Sequence, residues 1–131
     1  MHHEKIFKLK RTVDGFRTAL CDALLKENNN VKQISAMLYD TVNQLAIASE
    51  FVVLINMCSN DADIEEFKYK FAWAICDAFE TIECIQATMR TNQMCDKTKM
   101  ALTGACLLIK CELETLHYCV SDEKIGDTYG K

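Results

Sequence analysis

The sequence predicts a single all-α domain, because helical periodicity runs through most of the chain and turn-forming residues are scarce. The chain has 131 residues, which is enough for one core of its own but too few for two. It contains no proline and only 4 glycines, so a fold of many strands and tight turns lacks the residues that such turns need. Half of the residues are hydrophobic, as in other globular proteins. We therefore expect one helical domain over residues 1–131.

Two amphipathic helices are predicted in the first third of the chain. Between Glu4 and Lys26, apolar residues recur every three or four positions, and the basic residues fall mostly outside this stripe. The run Asn28, Asn29 and Asn30 is expected to end the helix, because asparagine hydrogen-bonds locally and tolerates turn conformations. A second apolar stripe follows. The two stripes consist of Ile6, Leu9, Val13, Phe16, Leu20 and Leu24, and of Val31, Ile34, Leu38, Val42 and Leu45.

Three further helices are predicted after the second stripe. The short apolar run 51–57 is assigned to a helix, since no partner strand is visible. A polar break follows and supplies an N-cap for the next helix; it consists of Ser59, Asn60, Asp61 and Asp63. The apolar residues of that next helix keep a helical period over 64–82. A second break at 91–92 precedes the last helix, which is predicted from Met94 to about His117.

Two of these segments are apolar on every side of the predicted helix. They are Phe71–Cys76 (FAWAIC) and Ala101–Ile109 (ALTGACLLI). A helix that is apolar all round is normally buried all round. We therefore expect these segments to form a central helical hairpin, wrapped by the amphipathic helices.

Charge and hydropathy exclude several classes of partner. The net charge of −4 argues against nucleic acid, because binding phosphate needs a basic surface. The N-terminus, MHHEKIFKLK, has charges where a signal peptide needs an apolar run, and no run of about eighteen uncharged apolar residues predicts a membrane span. Lysines and arginines beside Phe7 fit acidic lipid or nucleic acid, but we interpret them as the charged face of a packed helix. The prediction is a cytoplasmic protein.

The chain contains 8 cysteines at irregular spacing. No CxxC pair or neighbouring histidine pair is present, so a zinc site is not predicted. Without a signal peptide, reduced thiols packed as small hydrophobic residues are expected. Cys76 and Cys106 lie inside apolar runs and fit burial best. Cys95 and Cys119 have polar surroundings and are expected to be exposed, where they could bridge two molecules.

Signals of catalysis are weak. A Cys–His pair would have to use His117, with Cys111 or Cys84 nearby, and no nucleophile motif supports it. The phosphate-binding, dinucleotide-binding and metalloprotease motifs are missing. We therefore predict that the chain is not an enzyme and needs neither a metal nor another cofactor.

In the order and length of its helices, the chain is similar to the Bcl-2 family of apoptosis regulators, especially the short, divergent members carried by large DNA viruses. The family's first homology motif, Asn-Trp-Gly-Arg, falls on Phe67-Lys68-Tyr69-Lys70, followed by FAWAICDAF, and Lys70 keeps the basic final position. The second homology motif has a shortened echo in residues 125–130 (IGDTYG). The family's C-terminal membrane anchor is not seen, so the resemblance implies a soluble member in the host-cell cytoplasm.

The resemblance also implies an anti-apoptotic function, in which a surface groove sequesters the third-homology helix of pro-apoptotic partners. Lys70 would face an acidic residue of that helix, and its apolar anchors would bury against the groove. Two alternatives stay open: a Bcl-2-like protein that acts on inflammatory signalling through other surfaces, and an unrelated helical module whose apolar faces serve homodimerisation. The predicted groove residues are Met37, Phe51, Ile55, Phe67, Lys70 and Phe71.

Overall fold

The computed structural model describes residues 2–23, 29–91 and 96–121. These residues form four α-helices with no strand among them, which confirms the prediction of an all-α bundle. The helices are α1 (His2–Ala23), α2 (Asn29–Met57), α3 (Asp61–Thr91) and α4 (Asp96–Ser121).

Helix α2 joins two segments that the sequence separated. The residues between them, 46–50 (AIASE), contain neither glycine nor proline, so nothing interrupts the backbone hydrogen bonds. Asn29 and Asn30 also differ from expectation, because they form the first turn of α2 instead of a break before it. The last break falls close to its predicted place, since α3 ends at Thr91.

The turn between α2 and α3 has the predicted N-cap. The side-chain oxygen Oδ1 of Asn60 accepts hydrogen bonds from the backbone N–H groups of Ala62, at 2.8 Å, and Asp63, at 3.2 Å. The carbonyl of the same residue accepts the first helical hydrogen bond, from Ile64 at 3.0 Å. Asp61 and Asp63 place negative charge at the positive end of the α3 dipole. This turn fixes how α2 and α3 pack.

The four helices form a ring in which each helix contacts two neighbours. Contacts join α1 to α2, α2 to α3, α3 to α4 and α4 to α1, whereas in the described parts of diagonally opposite helices no Cα atoms approach within 8 Å. The short connections make neighbouring helices antiparallel. Arg17 of α1 stacks on Tyr39 of α2 at 5.1 Å, and Thr81 of α3 lies 3.3 Å from the Gln44 side chain of α2. The contact between α1 and α4 is the least extensive.

The core runs along the inside of the ring as one cluster. Its largest side chain, Phe71, has no exposed surface. Burying a side chain of this size stabilises the fold by about 2 to 3 kcal/mol. Every helix contributes, with Ile6, Leu9 and Val13 from α1, Ile34, Leu38, Leu45, Ala48 and Val52 from α2, Phe71, Ala74, Ile75, Ala78, Ile82, Ile85 and Met89 from α3, and Leu102, Cys106, Ile109, Leu113 and Leu116 from α4.

The predicted central hairpin is wrong. In a ring of four helices each helix keeps an outward face, so none is enclosed on all sides. Within the segment 71–76, Trp73 is 57% exposed, and within 101–109 Leu107 and Leu108 are 55% and 58% exposed. The apolar residues of these segments that do not face the core therefore form surface.

Burial of the cysteines follows the same geometry. Cys106 points into the ring and is buried, as predicted, whereas Cys76 lies on the outer face of α3 and is exposed, so that prediction is wrong. Cys95 and the side chain of Cys119 lie outside the described part of the structure.

Helix α2 is the most apolar of the four. Its segment Lys32–Met57 is long and apolar enough to cross a membrane by length and composition. The sequence of this segment is not an uninterrupted apolar run, because charged residues such as Asp40 and Glu50 divide it. In the bundle, α2 packs against both α1 and α3 and supplies Ile34, Leu38 and Leu45 to the core, while 28% of its most apolar stretch is buried.

Candidate partner-binding surface

The structure does not bring all of the predicted groove residues together. Met37 lies fourteen positions before Phe51 on α2, which is about 21 Å along the helix axis. Phe71 is fully enclosed in the core, so it does not line a surface. Of the six predicted groove residues, Phe71 is therefore core and not surface, and Met37 is well separated from Phe51 along α2.

Four of its residues do lie together beside the α2–α3 turn. The rings of Phe51 and Phe67 pack with their centres 6.2 Å apart and their planes tilted by 31°. Ile55 is partly buried against the core one turn further along α2. Lys70 is half-exposed, and its ammonium group lies 3.1 Å from the Glu66 carboxylate.

Exposed apolar side chains concentrate at this end of the molecule. Half of the large hydrophobic side chains that are exposed fall between positions 47 and 73, although these positions make up less than a third of the residues whose burial the structure describes. Concentrations of this kind mark interaction sites. The exposed residues in this stretch are Ile47, Val53, Leu54, Met57, Tyr69 and Trp73.

Five residues of this end lie on the outward sides of α2 and α3, and we call them together the hairpin surface. Ile47, Phe51 and Leu54 follow the spacing i, i+4, i+7 and so share one face of α2. Tyr69 and Trp73 share a face of α3, and their rings meet edge to face with centres 6.2 Å apart. Two contacts between α2 and α3, Phe51 with Phe67 and Gln44 with Thr81, bracket the positions of Ile47 and Trp73 and set these faces side by side.

The rim of the hairpin surface is acidic. Glu50, Glu66 and Asp77 are exposed on the same two helices. Lys70 is the basic side chain among them. It forms an ion pair with Glu66, which lies one turn before it on α3. An approaching partner therefore meets apolar and aromatic groups surrounded by net negative charge, which favours a partner with basic residues.

Sequence reasoning missed Ile47, Leu54, Tyr69 and Trp73. Tyr69 and Trp73 lay within or beside a segment that was predicted to be buried on all sides. A usable signal was present, since Lys70 and Asp77 flank Trp73 at i−3 and i+4 and place charge on that side of the helix.

A second feature of the ring is a clamp between α3 and α4. The Lys110 ammonium group lies 3.2 Å from Oε1 of Gln86 and 3.5 Å from the carboxylate of Glu83. One turn away on α4, burial raises the pKa of the Cys106 thiol from 9.0 to about 11, although the positive charge of Lys110 opposes this shift. The thiol is therefore protonated at neutral pH, and the side chain packs in the core as a small hydrophobic group.

The α3–α4 contact also contains a small open cavity of about 220 Å³. Cys76 and His117 both line it, whereas sequence reasoning paired His117 with Cys111 or Cys84. The His117 ring packs edge to face on Tyr118 at 5.7 Å. Among the described residues, no group of three or more His, Cys, Asp or Glu side chains is placed to hold a metal ion.

Comparison of the chain with protein-family models, with curated proteins and with solved structures finds no match.

Proposed function

We propose that this protein is a protein-interaction module that binds an amphipathic helix of a partner on the hairpin surface. The observation that carries the proposal is the pairing of Tyr69 and Trp73, two exposed aromatic rings, beside the exposed apolar face of α2. Tyrosine and tryptophan are the residues most enriched at the energetic centres of protein interfaces.

The shape and spacing of the surface favour a helix as the bound element. Two antiparallel helices present a shallow furrow between them, and a third helix can lie in it with apolar anchors at i, i+4 and i+7. Phe51 forms the half-buried floor of this furrow, between Ile47 and Leu54. The acidic rim would attract basic residues on the flanks of the partner helix.

The anti-apoptotic function implied by the Bcl-2 resemblance is a specific form of this proposal. It is supported by the ring contact of Phe51 with Phe67 and by the position of Lys70 one turn beyond Phe67 on α3, since the resemblance placed all three residues in one groove. It differs from the general proposal in the charge of the partner, because a third-homology helix would direct an acidic residue to Lys70. That residue would have to displace Glu66 from its ion pair.

Calorimetric titration with two kinds of peptide tests the proposal. One is a panel of third-homology helices from pro-apoptotic proteins, and the other is an amphipathic helix with the same apolar spacing and lysines on its flanks. We expect saturable binding of one kind, weakened about tenfold or more by Trp73→Ala. Leu107→Ala is the matched control, because Leu107 is exposed to nearly the same degree as Trp73 (55% against 57%) but lies on α4. Folded protein that binds neither peptide, or that binds equally well without Trp73, would refute the proposal.

Glu66→Gln separates the two kinds of partner. The substitution frees Lys70 from its ion pair and removes one negative charge from the rim. An acidic partner helix should then bind more tightly, whereas a basic one should bind less tightly. Loosened binding of third-homology peptides to this variant would contradict the apoptotic form and leave the general proposal standing.

A further inference from the structure

We propose that the groove between α1 and α4 is a second docking site, which binds an acidic amphipathic helix of a partner protein. This α1–α4 groove lies on a different side of the ring from the hairpin surface, which is formed by α2 and α3. The inference is independent of the function proposed above.

The groove follows from how the ring closes. Helices α1 and α4 make the least extensive of the four interhelical contacts, and between them lies an open cavity of about 360 Å³. The core residues Leu9 and Ile109 form its floor, and Leu108, 58% exposed, forms an apolar wall. On α1 the lining runs from Lys5 to Thr12, which is about 10 Å of helix and matches two turns of a bound helix.

The charges of the groove specify the chemistry of its occupant. Lys5 and Lys8 line the α1 side, and Glu112 lines the α4 side. Within the ranges that the structure describes, neither lysine forms an ion pair, in contrast to Lys70 and Lys110. Two unpaired ammonium groups beside an apolar wall suit a helix that carries Glu or Asp next to its apolar anchors.

The basic surface continues outward from the groove over α1. Phe7 is half-exposed, with the Arg11 guanidinium 5.8 Å and the Lys10 ammonium 6.0 Å from the centre of its ring. Lys8 and Thr12 line both this outer face and the groove, and Glu4 is the acidic residue among those that line the outer face. An acidic helix seated in the groove would therefore find further positive charge along one flank, which raises its rate of association.

Basic residues beside an exposed phenylalanine also suit an anionic membrane. A helix is favoured over a membrane because the apolar side chain Leu108 lies in a concave site floored by Leu9 and Ile109, where a flat bilayer surface has less access than a rod. The two partners also differ in what they require. A helix needs Leu108, whereas an anionic bilayer depends on the outward-facing residues Phe7, Lys10 and Arg11.

Fluorescence anisotropy with two designed peptides tests the inference on the full chain. The first is a labelled helical peptide of sixteen residues with leucines at i, i+4, i+7 and i+11 and glutamates on both flanks. The second replaces every glutamate by lysine. We expect saturable binding of the acidic peptide, weakened by raised salt. In the Trp73→Ala variant, whose hairpin surface is disabled, we expect no saturable binding of the basic peptide.

Variants at matched positions locate the binding. Leu108→Ser should weaken the acidic peptide about tenfold, whereas Leu107→Ser should leave it unchanged, because Leu107 is equally exposed but points away from the groove. Lys8→Glu should weaken binding about threefold to tenfold, and Lys32→Glu on α2 should not. Trp73→Ala should have no effect, which separates this site from the hairpin surface.

Three results would overturn the inference. The first is that the folded protein fails to bind the acidic peptide. The second is that Leu108→Ser and Leu107→Ser weaken binding equally. The third is that vesicles of phosphatidylserine and phosphatidylcholine bind the chain through Phe7 and Arg11 while the acidic peptide does not, which would assign this face to a membrane.

Discussion

The ammonium group of Lys110 lies 4.9 Å from the centre of the Phe79 ring, across the contact between α3 and α4. The same group contacts Glu83 and Gln86 on α3. A single side chain of α4 thus meets an aromatic face, a carboxylate and an amide, each of which favours its positive charge. Because the Lys110 side chain is only 23% exposed, solvent screens these interactions less than it does on an open surface.

Replacing Lys110 by methionine should destabilise the bundle by about 1 to 2 kcal/mol, since the apolar stem remains and the charge interactions are lost. Urea unfolding followed by circular dichroism measures this difference. Lys97→Met is the control, because Lys97 is exposed on α4 and forms no ion pair with any residue that the structure describes. Equal midpoints for the two variants would show that the clamp contributes nothing.

Phe71→Ala and Trp73→Ala should destabilise the protein to very different degrees although the two residues lie only two positions apart on α3. Phe71 is fully buried, so its removal should lower the free energy of unfolding by about 3 to 5 kcal/mol. Trp73 is 57% exposed, so its removal should cost under about 1 kcal/mol and leave a folded protein. Chemical denaturation of both variants checks this, and a Trp73→Ala protein that is less stable than Phe71→Ala would contradict the described packing.

The N-cap of α3 should raise the free energy of unfolding by about 1 kcal/mol. Asn60→Ala removes the oxygen that accepts from the N–H groups of Ala62 and Asp63, and its free energy of unfolding should fall by that amount. Ser59→Ala is the neighbouring control. Asn60→Asp should retain most of the stability, because a carboxylate caps equally well and complements the helix dipole. Loss of stability in Asn60→Asp comparable to that in Asn60→Ala would rule out capping as the cause.

The core-facing side of α1 and the cap of α3 were predictable, because each depends on residues that are close together in the sequence. The stripe of Ile6, Leu9 and Val13 faces the core, and Asn60 caps α3, as the periodicity and the cap residues indicated. The arrangement of the helices was not predictable in this way. Whether FAWAIC lies at the centre of a bundle or in its wall depends on how many helices pack around it, and an apolar pattern alone does not specify that number.

The candidate site was only partly predictable for the same reason. The resemblance placed Phe51, Phe67 and Met37 in one groove. The structure brings the rings of Phe51 and Phe67 together, whereas Met37 lies about 21 Å from Phe51 along the axis of α2. Trp73 was missed because an apolar run was equated with burial. The α1–α4 groove depends on the closure of the ring, which joins residues about one hundred positions apart, such as Lys8 and Leu108.

Cys106 should make the stability of the bundle fall in alkaline solution. Its pKa rises from 9.0 in the unfolded chain to about 11 in the folded one, because burial disfavours the thiolate. The folded state therefore binds more protons than the unfolded state between these values. The stabilisation is fully present below pH 9 and is lost as the pH rises toward 11, with a loss of about 2 kcal/mol between pH 8 and pH 10.5.

Other groups also titrate in this range, so the difference between wild type and Cys106→Ala isolates the contribution of this thiol. Urea unfolding at pH 8 and pH 10.5 should show a steeper loss of stability in the wild type than in the variant, which lacks the titrating thiol. At neutral pH, iodoacetamide should label the exposed Cys76, Cys84 and Cys111 well before Cys106. Parallel pH dependences for wild type and variant, or early labelling of Cys106 in the folded protein, would mean that this thiol is solvated and not enclosed by the ring of helices.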